Sequence, residues 1–381
     1  MDTQNDKVAI VIGDDAVNAL GLVQSLGRED VYVISVLKCH KPMLINKSKY
    51  HKEIYCIENY EDSIEVLLQN CIFEKPAVLF PAGDSVALLL EQNKEKLKDK
   101  FLFEGVNNGN SIEFYMNKQN QIRLAESSGL KVPYSVFLHK GDSVPRDMQM
   151  PCIIKPLISC LGDKRDIQIA NTVDEANSIL KNNLNFSMEV VVQQYIHKDY
   201  EYDMMGCAFR NGEIYIPLSD RMVKFNSKLQ DTSTVSFIEP KDPSIDAECK
   251  KLEVLFRSIG YVGLFSVEFM HDKINDAIYF TEINFRNDGE NSFIVHNGVN
   301  LPHLHYLDLN NLPLKIYTPS SKSKKYIWEG IHFSGLVKGA MPFCEWLTDF
   351  RGVDGFMYYY KEDKKPFYFQ FINKITSRFH L

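Results

Sequence analysis

Ser266-Val267-Glu268-Phe269, a polar turn through Asp272 to Asp276, and Tyr279-Phe280-Thr281-Glu282-Ile283-Asn284-Phe285-Arg286 decide how this chain is read. Each half alternates apolar and polar residues with a period of two, as a strand does, and the short turn joins the halves as a hairpin. Glu268 and Glu282 then stand on adjacent strands in apolar surroundings, and Asn284, two residues past Glu282, shares its face. Oxygen atoms converging from two strands suit a hard cation, and magnesium takes a few carboxylate or amide oxygens together with substrate phosphates. Glu268, Glu282 and Asn284 are the candidate metal ligands. The plainer reading of the same alternation is a strand face turned to solvent.

Upstream of the hairpin, strands at 152–155, 167–170, 190–194, 203–209 and 213–218 mix with helical periodicity at 173–180 and 246–258, an α+β pattern. The first 114 residues differ. Apolar runs at 7–12, 31–36 and 77–80 alternate with helical spacing at 16–26, 64–68 and 86–97, which predicts a parallel sheet wrapped by helices. The first strand-to-helix turn has one glycine, Gly13, where a dinucleotide fingerprint has three, and Asp14 and Asp15 would repel a pyrophosphate. A nicotinamide site is not expected there. The domains read as 1–114 (N-terminal α/β), 115–312 (α+β) and 313–381, an aromatic-rich C-terminal extension entered through a solvated linker at Lys322, Lys324 and Lys325.

The composition sets limits. With 381 residues, 45% of them hydrophobic, the chain can bury a sizeable core in two or three domains. A formal charge of -7 provides no global basic field for nucleic acid or an anionic membrane. The polar start, Met1 to Ala9, lacks a secretory pattern, and no apolar run approaches the roughly 18 to 20 residues that span a bilayer, so a cytoplasmic protein is expected. Eight cysteines without a C-x-x-C pair read as reduced thiols. His296, His303 and His305 have metal-like spacing, but the leucines among them favour structural histidines.

Glu282-x-Asn284-x-Arg286-x-x-x-Glu290, preceded by Val267-Glu268-Phe269, resembles the metal and intermediate site of the ATP-grasp superfamily, especially its biotin carboxylase and carbamoyl-phosphate synthetase branch. Lys118, followed by Gly129 and Val132-Pro133, resembles that family's first phosphate-binding lysine, and Cys152-Ile153-Ile154-Lys155-Pro156 resembles the strand ending in the second. Val191-Val192-Gln193-Gln194-Tyr195-Ile196 resembles the hinge whose backbone pairs with adenine, and Glu201 falls where the family places the carboxylate that binds ribose. The motifs span residues 115 to 305 in the family's order. The resemblance implies a pre-ATP-grasp domain followed by a two-lobed ATP-grasp domain split into 115–190 and 191–312. Two features depart from the pattern: the loop Ser159 to Arg165 contains only Gly162, so phosphate contacts would fall to side chains such as Ser159 and Lys164, and Gln194 stands where a carboxylate is common.

The function implied is an ATP-dependent, ADP-forming carboxylate-amine ligase working through an acyl phosphate, with ATP and Mg2+ as cofactors. Arg286 would hold the acyl phosphate, since a guanidinium beside two metal-bound carboxylates needs an anionic partner. Arg221 is a further nucleotide candidate, Lys224 a phosphate or substrate one, and Glu290 and Asn291 are substrate candidates. The segment Glu362 to Phe367 loosely resembles amino-acid ligases of the D-aspartate ligase kind. Partners are small carboxylates and amines, without nucleic acid or membrane; the resemblance leaves a homodimer open. Two alternatives stand beside it: carboxyphosphate chemistry on bicarbonate, and a nucleotide-binding regulatory protein without turnover.

Overall fold

The structure, a computed structural model, describes residues 7–41, 43–139, 141–156, 167–182, 189–225 and 232–379. Five strands, β1 (Val8–Asp14), β2 (Tyr32–Lys38), β3 (His51–Ile57), β4 (Ala77–Pro81) and β5 (Phe101–Leu102), form a parallel sheet in the order β3-β2-β1-β4-β5. Residues Ala9 to Ile12 are wholly buried, as a parallel strand covered on both faces requires, and this is why they are uniformly apolar. The helix Val17–Gly27 packs Ala19, Leu20 and Val23 onto one face, and Val86 and Leu90 of the helix Asp84–Gln92 lie in the core on the other.

A small antiparallel sheet follows, with β6 (Ser135–His139), β7 (Cys152–Pro156), β8 (Gln168–Ala170) and β9 (Glu189–Gln194) in the order β6-β9-β7-β8. A lobe boundary between 190 and 191 would cut β9. Its pairing with both β6 and β7 carries the smaller lobe through Gln194.

The large sheet contains β10 (Lys198–Ala208), β11 (Ile214–Tyr215), β12 (Ser219–Val223), β13 (Val235–Glu239), β14 (Gly263–Asp272), β15 (Ala277–Asn284), β16 (Lys324–Ile327) and β17 (Val353–Phe356). Its order is β15-β14-β10-β12-β13-β16-β17, with β11 on β10. One face is apolar: Phe265, Val267 and Phe269 of β14 pack with Ile245, Leu252 and Phe256 of the helix Pro243–Ile259. Asp242 starts that helix by accepting from the amides of Ser244 and Ile245, and Gly260 ends it at φ +59, where a side chain would strain the backbone. By strand alternation the other face carries Ser266, Glu268 and Met270, and it turns to the cleft.

The expected linker at Lys322–Lys325 is corrected: Lys324 and Lys325 begin β16, which pairs with β13, so the C-terminal segment completes the large sheet. Asp363 has a structural task. At 3% exposure it accepts from Ser48 Oγ (2.6 Å), Gln24 Nε2 (3.0 Å) and the Lys49 amide (3.1 Å), tying the C-terminal segment to the N-terminal domain.

Candidate active site

The register of the large sheet brings the site together. Glu268 on β14 stands directly opposite Glu282 on β15, and a bulge at Thr281 lets both Thr281 and Glu282 face the cleft. Thr281 Oγ1 fixes the bulge by donating to the Glu268 carbonyl at 2.8 Å. Asn284 Nδ2 donates to Ser266 Oγ and to Glu268 Oε1, both at 3.2 Å, which leaves its amide oxygen for a ligand. The strand is held from outside by Gln121, 2% exposed: its Nε2 donates to the Ile283 carbonyl (2.9 Å) and its Oε1 accepts from the Ile283 amide (3.0 Å). Gln121 thus pins the backbone between two candidate ligands, and its helix, Lys118–Ser127, starts at Lys118, which lines the same cavity.

That cavity encloses about 940 Å³. Lys118, Lys155, Gln193, Gln194, Tyr195, Ile196, Glu201, Glu268, Glu282 and Glu290 all line it, so most of the residues picked out in sequence converge. Lys155 Nζ donates to Gln193 Oε1 at 3.2 Å, and Gln193 Nε2 donates to Ser135 Oγ at 2.9 Å. Glu201 accepts from Lys198 at 2.8 Å. Ser159 and Lys164 lie outside the described residues.

Four residues sit elsewhere than expected. Arg221 is corrected: it alternates to the face opposite Asp220 and Met222, away from the cavity, where both its Nε (3.1 Å) and Nη2 (3.0 Å) bond Glu239. Asn291 is 4% exposed on the helix Asn291–His296 and donates to Asn287 (2.8 Å), behind the cavity wall. Arg286 finds its anionic partners within the protein: Nη1 donates to Asp288 at 2.6 Å, and Nε lies 3.2 Å from Asp84 of the N-terminal domain. Lys224 pairs with Asp349 and Glu345. His305, fully buried, sits 5.6 Å from Phe80 ring to ring, and burial pushes it down to about 3, in keeping with a structural histidine.

Several site residues escaped the sequence reading. Asp203, Asp288, Lys198 and Trp328 also line the cavity, and an acid cluster, Asp203, Asp288 and Glu290, places one oxygen from each within 4.8 Å of the others. Asp203 lies two residues past Glu201 on the same strand, so alternation alone would have put it on the nucleotide side. Gly289 lets the Asp288–Glu290 turn approach the N-terminal domain: a Cβ there would meet Asn18 Oδ1 at 2.4 Å.

The cleft crowds its carboxylates together. Desolvation in the cleft, then Glu282 and Glu201, push Glu268 up to about 7. Burial and the neighbouring carboxylates also raise Asp203 and Glu290 well above the carboxylate range. Desolvation and then Lys118 bring Lys155 down to about 8. Burial opposes the charge of Arg286, but Asp288 and Asp84 more than offset it and hold the guanidinium protonated. Paired carboxylates beside an amide oxygen are the donor set magnesium takes, so Glu268, Glu282 and Asn284 fit that ion.

A pH dependence follows from Glu268, whose carboxyl holds its proton more tightly folded (about 7) than at its ordinary value of 4.5. This contribution to stability is fully present below about pH 4.5 and is lost as the pH rises through about 7. Melting of the ligand-free protein should therefore show a fall across that window that is smaller in Glu268→Gln; identical wild-type and variant profiles would remove Glu268 from the account.

No protein-family model matches the chain. Relatives do. The formate-dependent phosphoribosylglycinamide formyltransferase of Sulfurovum sp. is 22% identical over 270 residues, 65% of this chain and 67% of that protein. The D-alanine–D-alanine ligase of the same strain is 30% identical over 168 residues, 42% of this chain and 47% of the ligase. Among solved structures, N5-carboxyaminoimidazole synthetase of Staphylococcus aureus superposes with a TM-score of 0.67 at 16% identity, covering 91% of this chain and 88% of that one. Biotin carboxylase of Campylobacter jejuni gives 0.66 at 15% identity, covering 82% and 73%.

The class these likenesses share with the three-sheet fold and its cleft is ATP-grasp, and the chain is a member of that superfamily. It is accordingly an ATP-dependent enzyme of the ligase and carboxylase-like kind, working with ATP and Mg2+.

Proposed function

We propose that the enzyme is a carboxylate-amine ligase: ATP phosphorylates a small carboxylate, and an amine attacks the acyl phosphate to form an amide, releasing ADP and phosphate. The observation that carries this reading is the opposed Glu268–Glu282 pair facing a cavity that also receives Lys118 and Lys155. Lys118 and Lys155 bind phosphate oxygens as charge-assisted donors, and ATP binding restores the full charge of Lys155. Glu201 takes the ribose hydroxyls. The amides of Gln194 and Tyr195 are already bonded to the carbonyls of Tyr134 and Pro151, so adenine is read by the rest of the hinge, Ile196 first.

Glu268, Glu282 and Asn284 hold magnesium, which when bound neutralises charge on the transferring phosphoryl group. Arg286 positions rather than touches the reacting groups: it fixes Asp288 and draws Asp84, and with it the N-terminal domain, against the cleft. The chain supplies position and electrostatics more than proton transfer.

The test is ADP release with magnesium over a panel of amino acids, hydroxy acids and amines. Turnover that requires both a carboxylate and an amine is expected. The structural likeness to carboxyaminoimidazole synthetase and biotin carboxylase favours one second reading, carboxyphosphate formation. Bicarbonate-dependent ADP release without an amine would establish it instead.

A further inference from the structure

We propose that the cavity contains a cation subsite, built on Asp203, Asp288 and Glu290, that receives the ammonium group of an amino-acid substrate; this rests on the ligase reading and names its acid. The large sheet carries a row of four carboxylates in direct register: Asp220 on β12 faces Asp203 on β10, Asp203 faces Glu268 on β14, and Glu268 faces Glu282 on β15. Residues in direct register share a face, and like charges placed so oppose folding. A row of this kind persists where cations compensate it. Glu268 and Glu282, with Asn284, form the magnesium end, close to Lys155. At the other end Arg286 reaches the row through Asp288.

Asp203 points to a ligand in its own right. It is 2% exposed, it lines the cavity, and its Oδ1 has no hydrogen-bond partner among the described residues. A buried carboxylate oxygen left without a donor is unfavourable unless a bound group supplies one. Asp288 accepts from Arg286 and from the Glu290 amide (3.0 Å), yet a carboxylate has capacity for more than two donors.

The three oxygens lie within 4.8 Å of one another. Acceptors about 2.8 Å from one nitrogen along tetrahedral directions stand roughly 4.6 Å apart, and an ammonium group has three hydrogens to give. Oxygens around magnesium, at about 2.1 Å, crowd to roughly 3 Å. Separations of up to 4.8 Å admit a cationic nitrogen among the three oxygens, and an ion count distinguishes it from a metal. Trp328 and Ile331 of the C-terminal segment line the same cavity and offer apolar surface to a carbon skeleton.

A nitrogen held among three carboxylates stays protonated and is no nucleophile. It belongs to the substrate that passes through the reaction with its ammonium unchanged, which is the amino acid whose carboxylate is phosphorylated.

The experiment is calorimetry on the full chain with magnesium and a non-hydrolysable ATP analogue, using L-alaninamide as a cationic probe and propionamide as its neutral counterpart. Alaninamide should bind and propionamide should not. Asp203→Asn should weaken alaninamide about 30-fold, as loss of a charge-assisted partner implies, while analogue affinity stays the same. Glu290→Gln should behave likewise and decides the matter if Asp203→Asn does not fold. Absent or equal binding of the two amides, or unchanged alaninamide affinity in the variants, overturns the subsite. A manganese count by electron paramagnetic resonance should give the same number of ions in wild type and Asp203→Asn; one ion fewer in the variant makes this a metal site and overturns the proposal. Failure of the wild type to bind the analogue would instead strike the ligase reading itself.

Discussion

Glu282→Gln is expected to leave a folded protein whose ADP release falls on the order of a hundredfold or more. Glu282 faces Glu268 across the β14–β15 ladder, and the amide is nearly isosteric, so the bulge at Thr281 and the Gln121 clamp on Ile283 should survive. The loss is of charge. A neutral amide beside Glu268 removes half the anionic donor set available to magnesium, while relieving the repulsion that raises Glu268. Turnover should therefore collapse without a fall in melting temperature, and a coupled ADP assay beside a melting curve measures both. Undiminished ADP release would remove Glu282 from the metal site.

Arg286→Ala is expected to act on stability. The guanidinium, 13% exposed, compensates Asp288 on one side and the more exposed Asp84 on the other, and truncation leaves Asp288, beside Asp203 and Glu290, without its cation. Removing one partner of a fully buried ion pair costs about 3–5 kcal/mol, and solvent at Asp84 screens the loss expected here to below that range. Urea unfolding should show a lower midpoint, with Arg286→Lys recovering part of the loss because a point charge remains but the fork that spans both acids does not. An Arg286→Ala protein as stable as wild type would mean that Asp84 and Asp288 need no compensation.

The hairpin was legible because Glu268, Glu282 and Asn284 alternate with large apolar residues, and period-two alternation fixes the face whatever the register. The register itself was not. That Asp203 and Asp220 continue the same row depends on which residues of β10 and β12 oppose Glu268, and no local pattern encodes this. Arg221 was misplaced by parity: one residue from Asp220, it points to the opposite face and to Glu239. Its basic type suggested phosphate, while its position on the strand decided otherwise.

The C-terminal segment was hard to read for a different reason. Lys322, Lys324 and Lys325 read as solvated linker on charge, but β16 is held through Tyr326 and Ile327, 2% and 0% exposed, and β13 supplies its hydrogen bonds. Between β13 and β17, Lys325 donates its ammonium to the carbonyls of Asp349 and Arg351, so its charge is used within the fold. From sequence Arg286 is expected to hold the anionic acyl phosphate. In the structure its partners are Asp288 and Asp84, the second of them 202 residues away in the chain.

The most direct test of carboxylate activation follows oxygen. With the acid substrate identified by the ADP screen, enriched with 18O in its carboxylate, and with saturating amine, the phosphate released is analysed by mass spectrometry. An acyl phosphate breaks between the acyl carbon and the bridging oxygen when the amine attacks, so that oxygen leaves with the phosphoryl group. One 18O atom in each released phosphate is the predicted result. Phosphate free of 18O, with the full label retained in the product, would contradict the account.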